Sequence, residues 1–227
     1  MLPKPRAKAN RIKCVNNLSQ VYKSMLAFAQ DNAERLPWQL APSGVRYHLD
    51  AAANPSTGYG RQSYASVNIM NHHPKAGTVG GVFGVVAVKA ELVTPKIIIS
   101  PCDSGRKAAN EFIQKNWKSY DTKAGKLVSH NGLCFGADTH RPSAVLVTTR
   151  NLSTDDLATA KWVGAEDKLR GMLGLKISQG QMVQMDGSAS QANDKDIGVE
   201  GRVVKGARKA GGDVARGKTS TKMVLPY

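Results

Sequence analysis

Five histidines, three cysteines and one acidic loop are the groups in this 227-residue chain most able to do chemistry. His72 and His73 stand side by side in an Asn-His-His-Pro turn, and adjacent loop histidines can share a metal ion. A catalytic zinc site takes three protein ligands and an orienting outer layer, and His48, His130 and His140 lie at no spacing that completes one. The competing reading is a set of exposed loop histidines.

Cys14, Cys102 and Cys134 are too widely separated for a CxxC metal knuckle. Cys14 sits at the edge of an apolar helix face and reads as a packed small residue rather than a nucleophile. Cys102 and Cys134 are open to pairing in an oxidising compartment, provided their Cα atoms come within ~7 Å.

The segment Asp186 to Asp196, DGSASQANDKD, clusters carboxylate and amide oxygens of the kind calcium takes. It lacks EF-hand spacing, with Gly187 directly after the first Asp, so a polar hairpin and turn competes with a calcium loop at 186–196. No GxSxG is present, and Ser104-Gly105 and Ser178-Gln179-Gly180 lack the context of a nucleophile. Gly77, Gly80, Gly81 and Gly84 form no GxGxxG after a strand, and there is no Walker lysine. Asn151-Leu152-Ser153 fits a glycosylation sequon, which matters only in a eukaryotic secretory setting. The expectation is a chain that is not an enzyme, with no catalytic, cofactor-binding or metal residue assigned.

The element that must position everything else is the stretch 8–34, KANRIKCVNNLSQVYKSMLAFAQDNAE. Ile12, Val15, Leu18, Tyr22, Met25 and Ala29 recur at steps of three or four, which predicts one apolar face of an α-helix. No Pro or Gly interrupts it, and Arg35-Leu36-Pro37 forces an extended chain behind it. Residues 37–80 are rich in Pro, Gly, Asn and Ser and read as a long irregular connection, with Trp38, Tyr47 and Tyr64 available to pack it down.

GVFGVVAVKAELV at 81–93 leans towards helix, because Ala-Glu-Leu precedes a Thr94-Pro95 stop. KIIIS at 96–100 is β-branched and bounded by prolines, which predicts a central strand. A short helix is expected at 106–117, strands at 132–136 and 144–149 around an Arg141-Pro142-Ser143 turn, and a helix at 154–160. Asp186-Gly187 between the runs 179–185 and 188–191 predicts a two-residue type I′ hairpin. Beyond Gly198 an extended or partly mobile tail is expected, until Met223-Val224-Leu225 offers an edge strand. A long amino-terminal helix packed on a small antiparallel β-sheet with long irregular loops is an α+β fold.

At 41% hydrophobic the chain can bury a core, and its formal charge of +15 is uneven. Residues 1–13 carry five cations and no acid, and 201–227 carry seven against Asp213 alone, which leaves +4 for the body. The basic ends contain no aromatic except Tyr227. They read as solvated or partner-facing segments, with an anionic polymer or membrane surface as the alternative. No run reaches the ~18 apolar residues of a membrane span; GGVFGVVAV at 80–88 comes nearest. MLPKPRAKAN has the charge of a signal peptide without the apolar core, so the chain as written reads as soluble.

The run Ala7 to Leu18, the later Asp31-Asn32 and Arg35-Leu36-Pro37-Trp38, and the Asp186-Gly187-Ser188 hairpin resemble the prepilin-type, type II secretion pseudopilin-like (type IV pilin-like) proteins of planctomycetes and verrucomicrobia. Glu91-Leu92, Thr94-Pro95-Lys96-Ile97, Pro101-Cys102-Asp103 and Arg150-Asn151-Leu152 are supporting matches, and the likeness spans most of 7–200. It implies a pilin-like fold with a helical stem at 1–36, a globular α+β head at 37–200 and a basic tail or edge strand at 201–227.

The implied function is structural: a subunit of a type IV pilus-like or type II secretion pseudopilus-like filament. The implied partners are copies of itself or other pilin-like subunits, met through the helix, and the assembly machinery. The implied location is an extracellular or periplasmic surface filament, anchored in the inner membrane where a hydrophobic segment precedes it.

The peptidase site and hydrophobic half-helix expected upstream of Ala7 are absent, and MLPKPRAKAN stands where that segment would end. Either that segment has been removed or this is a soluble relative with its own assembly mode. Some pseudopilins bind calcium in a carboxyl-terminal loop, which the resemblance carries to 186–196. The His that often follows the hairpin Asp-Gly is here Ser188, so any role of that His does not carry over. A basic surface or extracellular module that binds DNA or acidic polysaccharide is the alternative function, motivated by the charge.

Overall fold

A computed structural model of the chain describes residues 4–40, 79–84, 86–103, 129–209, 214–215 and 218–226. The predicted amino-terminal helix is one uninterrupted element, α1 (Lys4–Asp31), 28 residues long. It ends where Ala33 and Glu34 take positive φ, 53° and 58°, while the Glu34 N–H donates to the carbonyl of Ala29 and the Asn32 amide to that of Phe28. That left-handed step turns the chain through Leu36 into a short 3-10 helix, Pro37–Gln39. Trp38 is buried there against Phe135, with ring centroids 5.0 Å apart, and Gln39 donates to the Ala137 carbonyl and the Asp138 carboxylate.

The helical reading of 81–93 appears as two short helices, α2 (Val79–Gly84) and α3 (Val86–Leu92). KIIIS is not a strand. Pro95–Ile98 form a 3-10 helix, because Pro95 fixes its first φ and the Thr94 hydroxyl accepts from the Lys96 N–H. Ile99 returns to extended backbone behind that helix, so local cap chemistry prevails over β-branched composition.

Strands β1 (Asn131–Cys134), β2 (Val145–Thr149), β3 (Gly180–Gln184) and β4 (Ala189–Ala192) form an antiparallel meander. Two-residue strands β5 (Val214–Ala215) and β6 (Lys218–Thr219) pair with each other. The predicted edge strand is β7 (Met223–Val224), which returns to pair antiparallel with β1 and gives the order β4-β3-β2-β1-β7. A long amino-terminal helix with a five-stranded antiparallel sheet makes the architecture α+β.

The Asp186-Gly187 hairpin forms with different turn chemistry from the expected type I′. Gly187 alone takes positive φ, 84°, and its N–H donates to the Gln184 carbonyl, while Gln184 pairs with Ser188. This is a three-residue loop of the kind that closes on a left-handed glycine, with Asp186 Oδ1 accepting from the Ser188 N–H and hydroxyl. A Cβ on Gly187 would lie 3.0 Å from the Tyr22 ring, so the glycine also lets the turn approach α1.

The stretch 154–160 is a series of turns rather than the expected helix. Asp156 Oδ1 accepts from the Ala158 N–H, the Thr154 hydroxyl donates to the Asp156 carbonyl, and Asp156 bridges to Lys222. These short side chains offer the backbone a local alternative that wins when the segment is also pulled towards the 218–226 region. Beyond Gly198 the chain is not an extended tail. Helix α4 (Arg202–Lys209) buries Val203, Val204 and Ala207 on one face while Arg202 and Lys205 stay exposed.

The core draws side chains from all three spans named from the sequence: Leu18 to Leu36 from the stem, Trp38 to Ile197 from the head, and Val203, Val204 and Met223 from the carboxyl-terminal part. The helix expected at 106–117, with Tyr47 and Tyr64, lies outside the described residues. Among the described residues no helix is long and apolar enough to cross a membrane.

Candidate functional site

The features that can bear function gather where α1 meets its supports. The buried stripe of α1 is Cys14, Leu18, Val21, Met25 and Phe28, with Ala29 and Ser24 beside it. Leu18, Met25 and Ala29 were on the predicted face, but Ile12 is 49% exposed, and Val15 and Tyr22 are half-buried. The face is therefore rotated from the one periodicity selects, because Cys14, Val21 and Phe28 offer a second series at the same spacing and the sheet takes that one.

From Pro5 through Lys13 no side chain of α1 is buried. The helix thus has two parts, a seated length from Cys14 to Ala29 and a leading end from Pro5 to Lys13 with no buried side chain, which touches the head through Asn10 and Arg11.

The seat is polar at its rim. Gln181 on β3 donates to the Arg11 carbonyl, and an Arg11 Nη1 donates to Gln179 Oε1. Because strand neighbours alternate in direction, Gly180 turns to the opposite face, where a Cβ would lie 2.1 Å from the buried Trp162 ring. On the other flank, Asn10 donates to the Pro101 carbonyl at 3.3 Å and Asn17 to the Ile99 carbonyl at 3.2 Å. The chain from Ile99 to Pro101 is thereby laid against α1 in the reverse direction. A groove of about 360 Å³ runs beside it, lined by Lys13, Asn17, Lys96, Ile97, Ile99 and Pro101.

Behind the seat lies a buried ionic knot that sequence reasoning missed. Arg150 forks onto Asp103, Nε to Oδ2 at 2.7 Å and Nη2 to Oδ1 at 2.9 Å, with both side chains almost wholly buried. Its remaining N–H groups donate to the carbonyls of Arg170 at 2.9 Å and Gly171 at 2.7 Å. His130 Nδ1 accepts from the Ser100 N–H at 3.1 Å and stands 3.4 Å from Asp103 Oδ2. One guanidinium therefore ties the end of β2 to the 100–103 turn and to the loop at 164–178. A bidentate, fully bonded pair of this kind is costly to break from one side. The only sequence signal was an arginine placed directly after the apolar run AVLVTT, together with the Pro101-Cys102-Asp103 turn.

The sequence-nominated groups are dispersed. His140 is exposed and bridges Glu34 Oε2 at 2.9 Å and Asp138 Oδ1 at 3.0 Å. His48, His72, His73 and Ser104 lie outside the described residues. Asp186 stays at its turn, whereas Asp194 and Asp196 lie beyond β4, engaged with the Trp162 N–H, the Asn193 N–H and Arg202 Nε. Among the described residues no three His, Cys, Asp or Glu side chains are grouped to hold a metal. Asn151 is buried, and its amide donates at 2.8 Å to the carbonyls of Val163 and Gln179, so it is no glycosylation acceptor in the folded chain. Ser178 takes positive φ, 59°, and its hydroxyl accepts from the Asp194 N–H.

Cys14 is packed, as expected, but Cys102 and Cys134 lie in separate clusters rather than together. All three are thiols. Cys134 is buried and donates to the Ser220 carbonyl at 3.3 Å, and burial pushes its pKa up to about 11. Cys102 lies instead against Cys14, in a separate small cluster with Met172 and Leu175.

Comparison with family models, with curated proteins and with solved structures finds no match.

Proposed function

We propose that the chain is a structural subunit of a filament of the type IV pilus or type II secretion pseudopilus kind, which assembles through α1. The observation that carries this reading is the division of one unbroken helix: a length seated on the head, and a leading end from Pro5 to Lys13 with no buried side chain. Head-and-stem subunits need that division, because the part of a helix that meets a neighbour cannot also be covered by its own head.

Of the six exposed large apolar residues among those described, four lie on the leading end of α1 or on the 164–178 loop, and the others are Val93 and Val199. Ile12 is exposed, and the 164–178 loop that roofs Cys14 through Met172 and Leu175 presents Leu169, Leu173 and Ile177 at 69%, 60% and 68% exposure. Single exposed apolar residues are ordinary, but several near one helix end suit a contact surface. In this reading the partners are like subunits, the location is a filament outside the cytoplasm, and the head supplies shape rather than catalysis.

The test is self-association of the purified chain, followed by sedimentation velocity and negative-stain electron microscopy. The chain should form oligomers or fibres, and Ile12→Glu and Leu173→Glu should reduce them without altering the circular dichroism spectrum. A wild-type chain that stays monomeric up to about 1 mM, where a contact worth roughly 4 kcal/mol would register, removes the reading.

A second reading rests on charge: Arg6, Lys8 and Lys13 are exposed on the leading end, with no acid in residues 1–13. An anionic polymer such as DNA or acidic polysaccharide suits that surface, and its binding would weaken steeply with salt as counterions are released. Absence of retention on heparin at low ionic strength eliminates it.

A further inference from the structure

Cys14 and Cys102 lie 88 positions apart in the chain and meet at the seat of α1. Their meeting is fixed by what surrounds them. Asn10 and Asn17 bind the Pro101 and Ile99 carbonyls, which brackets Cys14 along the helix and Ser100 along the facing segment. Ser100 Oγ bridges the two, 2.7 Å from Cys14 Sγ and 3.1 Å from the Cys102 backbone N–H that it accepts from.

The roof is equally close. Gly174 donates its N–H to the Cys102 carbonyl at 2.7 Å, and a Cβ on Gly174 would lie 2.8 Å from the Cys102 Cα. Met172 and Leu175 complete an apolar enclosure in which both cysteines are buried.

We infer that Cys14 and Cys102 are a disulfide-forming pair that covalently locks α1 to the 99–103 segment of the head in an oxidising compartment. The inference stands on this geometry and does not depend on filament assembly. The neighbouring Cys102 lowers the Cys14 pKa against the opposing effect of burial, while the neighbouring Cys14 and burial together raise that of Cys102. Cys14, whose sulfur has the Ser100 hydroxyl 2.7 Å away to hydrogen-bond a thiolate, attacks first.

It displaces one sulfur from a disulfide-bearing oxidant, such as glutathione disulfide or a dithiol oxidoreductase in its oxidised form. Cys102 then gives its proton to solvent and attacks the Cys14 sulfur of the mixed disulfide, expelling the oxidant's second sulfur as a thiol. The two cysteines lose two electrons and two protons, and the oxidant's disulfide is reduced to two thiols. Burial places the reaction during folding, or during an opening of the seat.

The experiment is to refold the full chain in a glutathione redox buffer and to analyse it by non-reducing peptide mass spectrometry and thermal unfolding. A loss of about 2 Da should appear from two missing hydrogens, with the Cys14 and Cys102 peptides linked. The linked species should melt higher by about 10 °C, since a loop this long gains among the largest closure effects, and reductant should reverse the gain. Cys134→Ser should keep the link; Cys14→Ser and Cys102→Ser should each abolish it. Linkage through Cys134, a stable glutathione adduct, or persistent thiols after oxidative refolding to the native circular dichroism spectrum each overturns the inference.

Discussion

The two parts of α1 share one backbone geometry and little else. From Cys14 to Ala29 the helix puts an apolar stripe into the core and is hemmed by β3, β4 and the 95–103 segment. From Pro5 to Lys13 it carries cations and one large apolar residue in the open. Helix propensity is similar along both, so propensity is not what separates them. The difference is made by apolar partners: the seated part sends Leu18, Val21, Met25, Phe28 and Ala29 into the core, whereas the leading end meets the head through polar contacts of Asn10 and Arg11. A helix can therefore be legible in sequence while the point at which it stops being core is not.

The sharpest way to break this contrast is to loosen the seat from behind. Arg150→Met leaves Asp103 buried without its guanidinium, and should cost about 3–5 kcal/mol in urea unfolding. A loss under about 1 kcal/mol would mean the knot does not hold the seat. Leu18→Ala, in the middle of the seated stripe, should cost about 2–5 kcal/mol through the lost burial and the cavity. Gly180→Ala forces a Cβ into the Trp162 ring from the far side of the sheet, and about 1–3 kcal/mol is expected from overpacking.

Ile12→Ala, on the leading end, should fall within about 0.5 kcal/mol of wild type. Equal losses for Ile12→Ala and Leu18→Ala would erase the distinction between the two parts. The smallest effect is at high pH. Partial burial and the Asp186 charge raise the Tyr22 pKa, so on titration the unfolded chain loses this proton before the folded one. Stability should therefore fall slightly as pH rises through the ordinary tyrosine range near 10, and Asp186→Asn should soften that fall.

What the sequence disclosed was local. The uninterrupted run before Arg35-Leu36-Pro37 predicts α1, the Asp-Gly pair predicts the β3–β4 hairpin, and the apolar triplet near the end predicts β7. Each rests on neighbours within a few residues. Where a nearby cap or turn outbid composition, the reading failed: Thr94-Pro95 turned KIIIS into a 3-10 helix, and Asp156 replaced a helix with turns. Alternating Val-Val and basic residues after Gly201 concealed α4, whose buried face is only three residues wide.

The meeting of Arg150 with Asp103, and of Cys14 with Cys102, was out of reach for another reason. Those partners are joined by the path of the whole chain, which no short window contains.

The pairing of β7 with β1 sets a condition on how the sheet is completed. Leu133 faces Val224 across that ladder, so the strand in the interior of the finished sheet waits for a partner 91 positions later in the chain. Contacts of such long reach form late, after the meander has already assembled its shorter connections. Until then β1 is a rim with unspent backbone donors and acceptors, open to the wrong strand from another molecule. Newly made copies at high concentration are exposed to that hazard, and the stretch around Met223 is the piece that ends it.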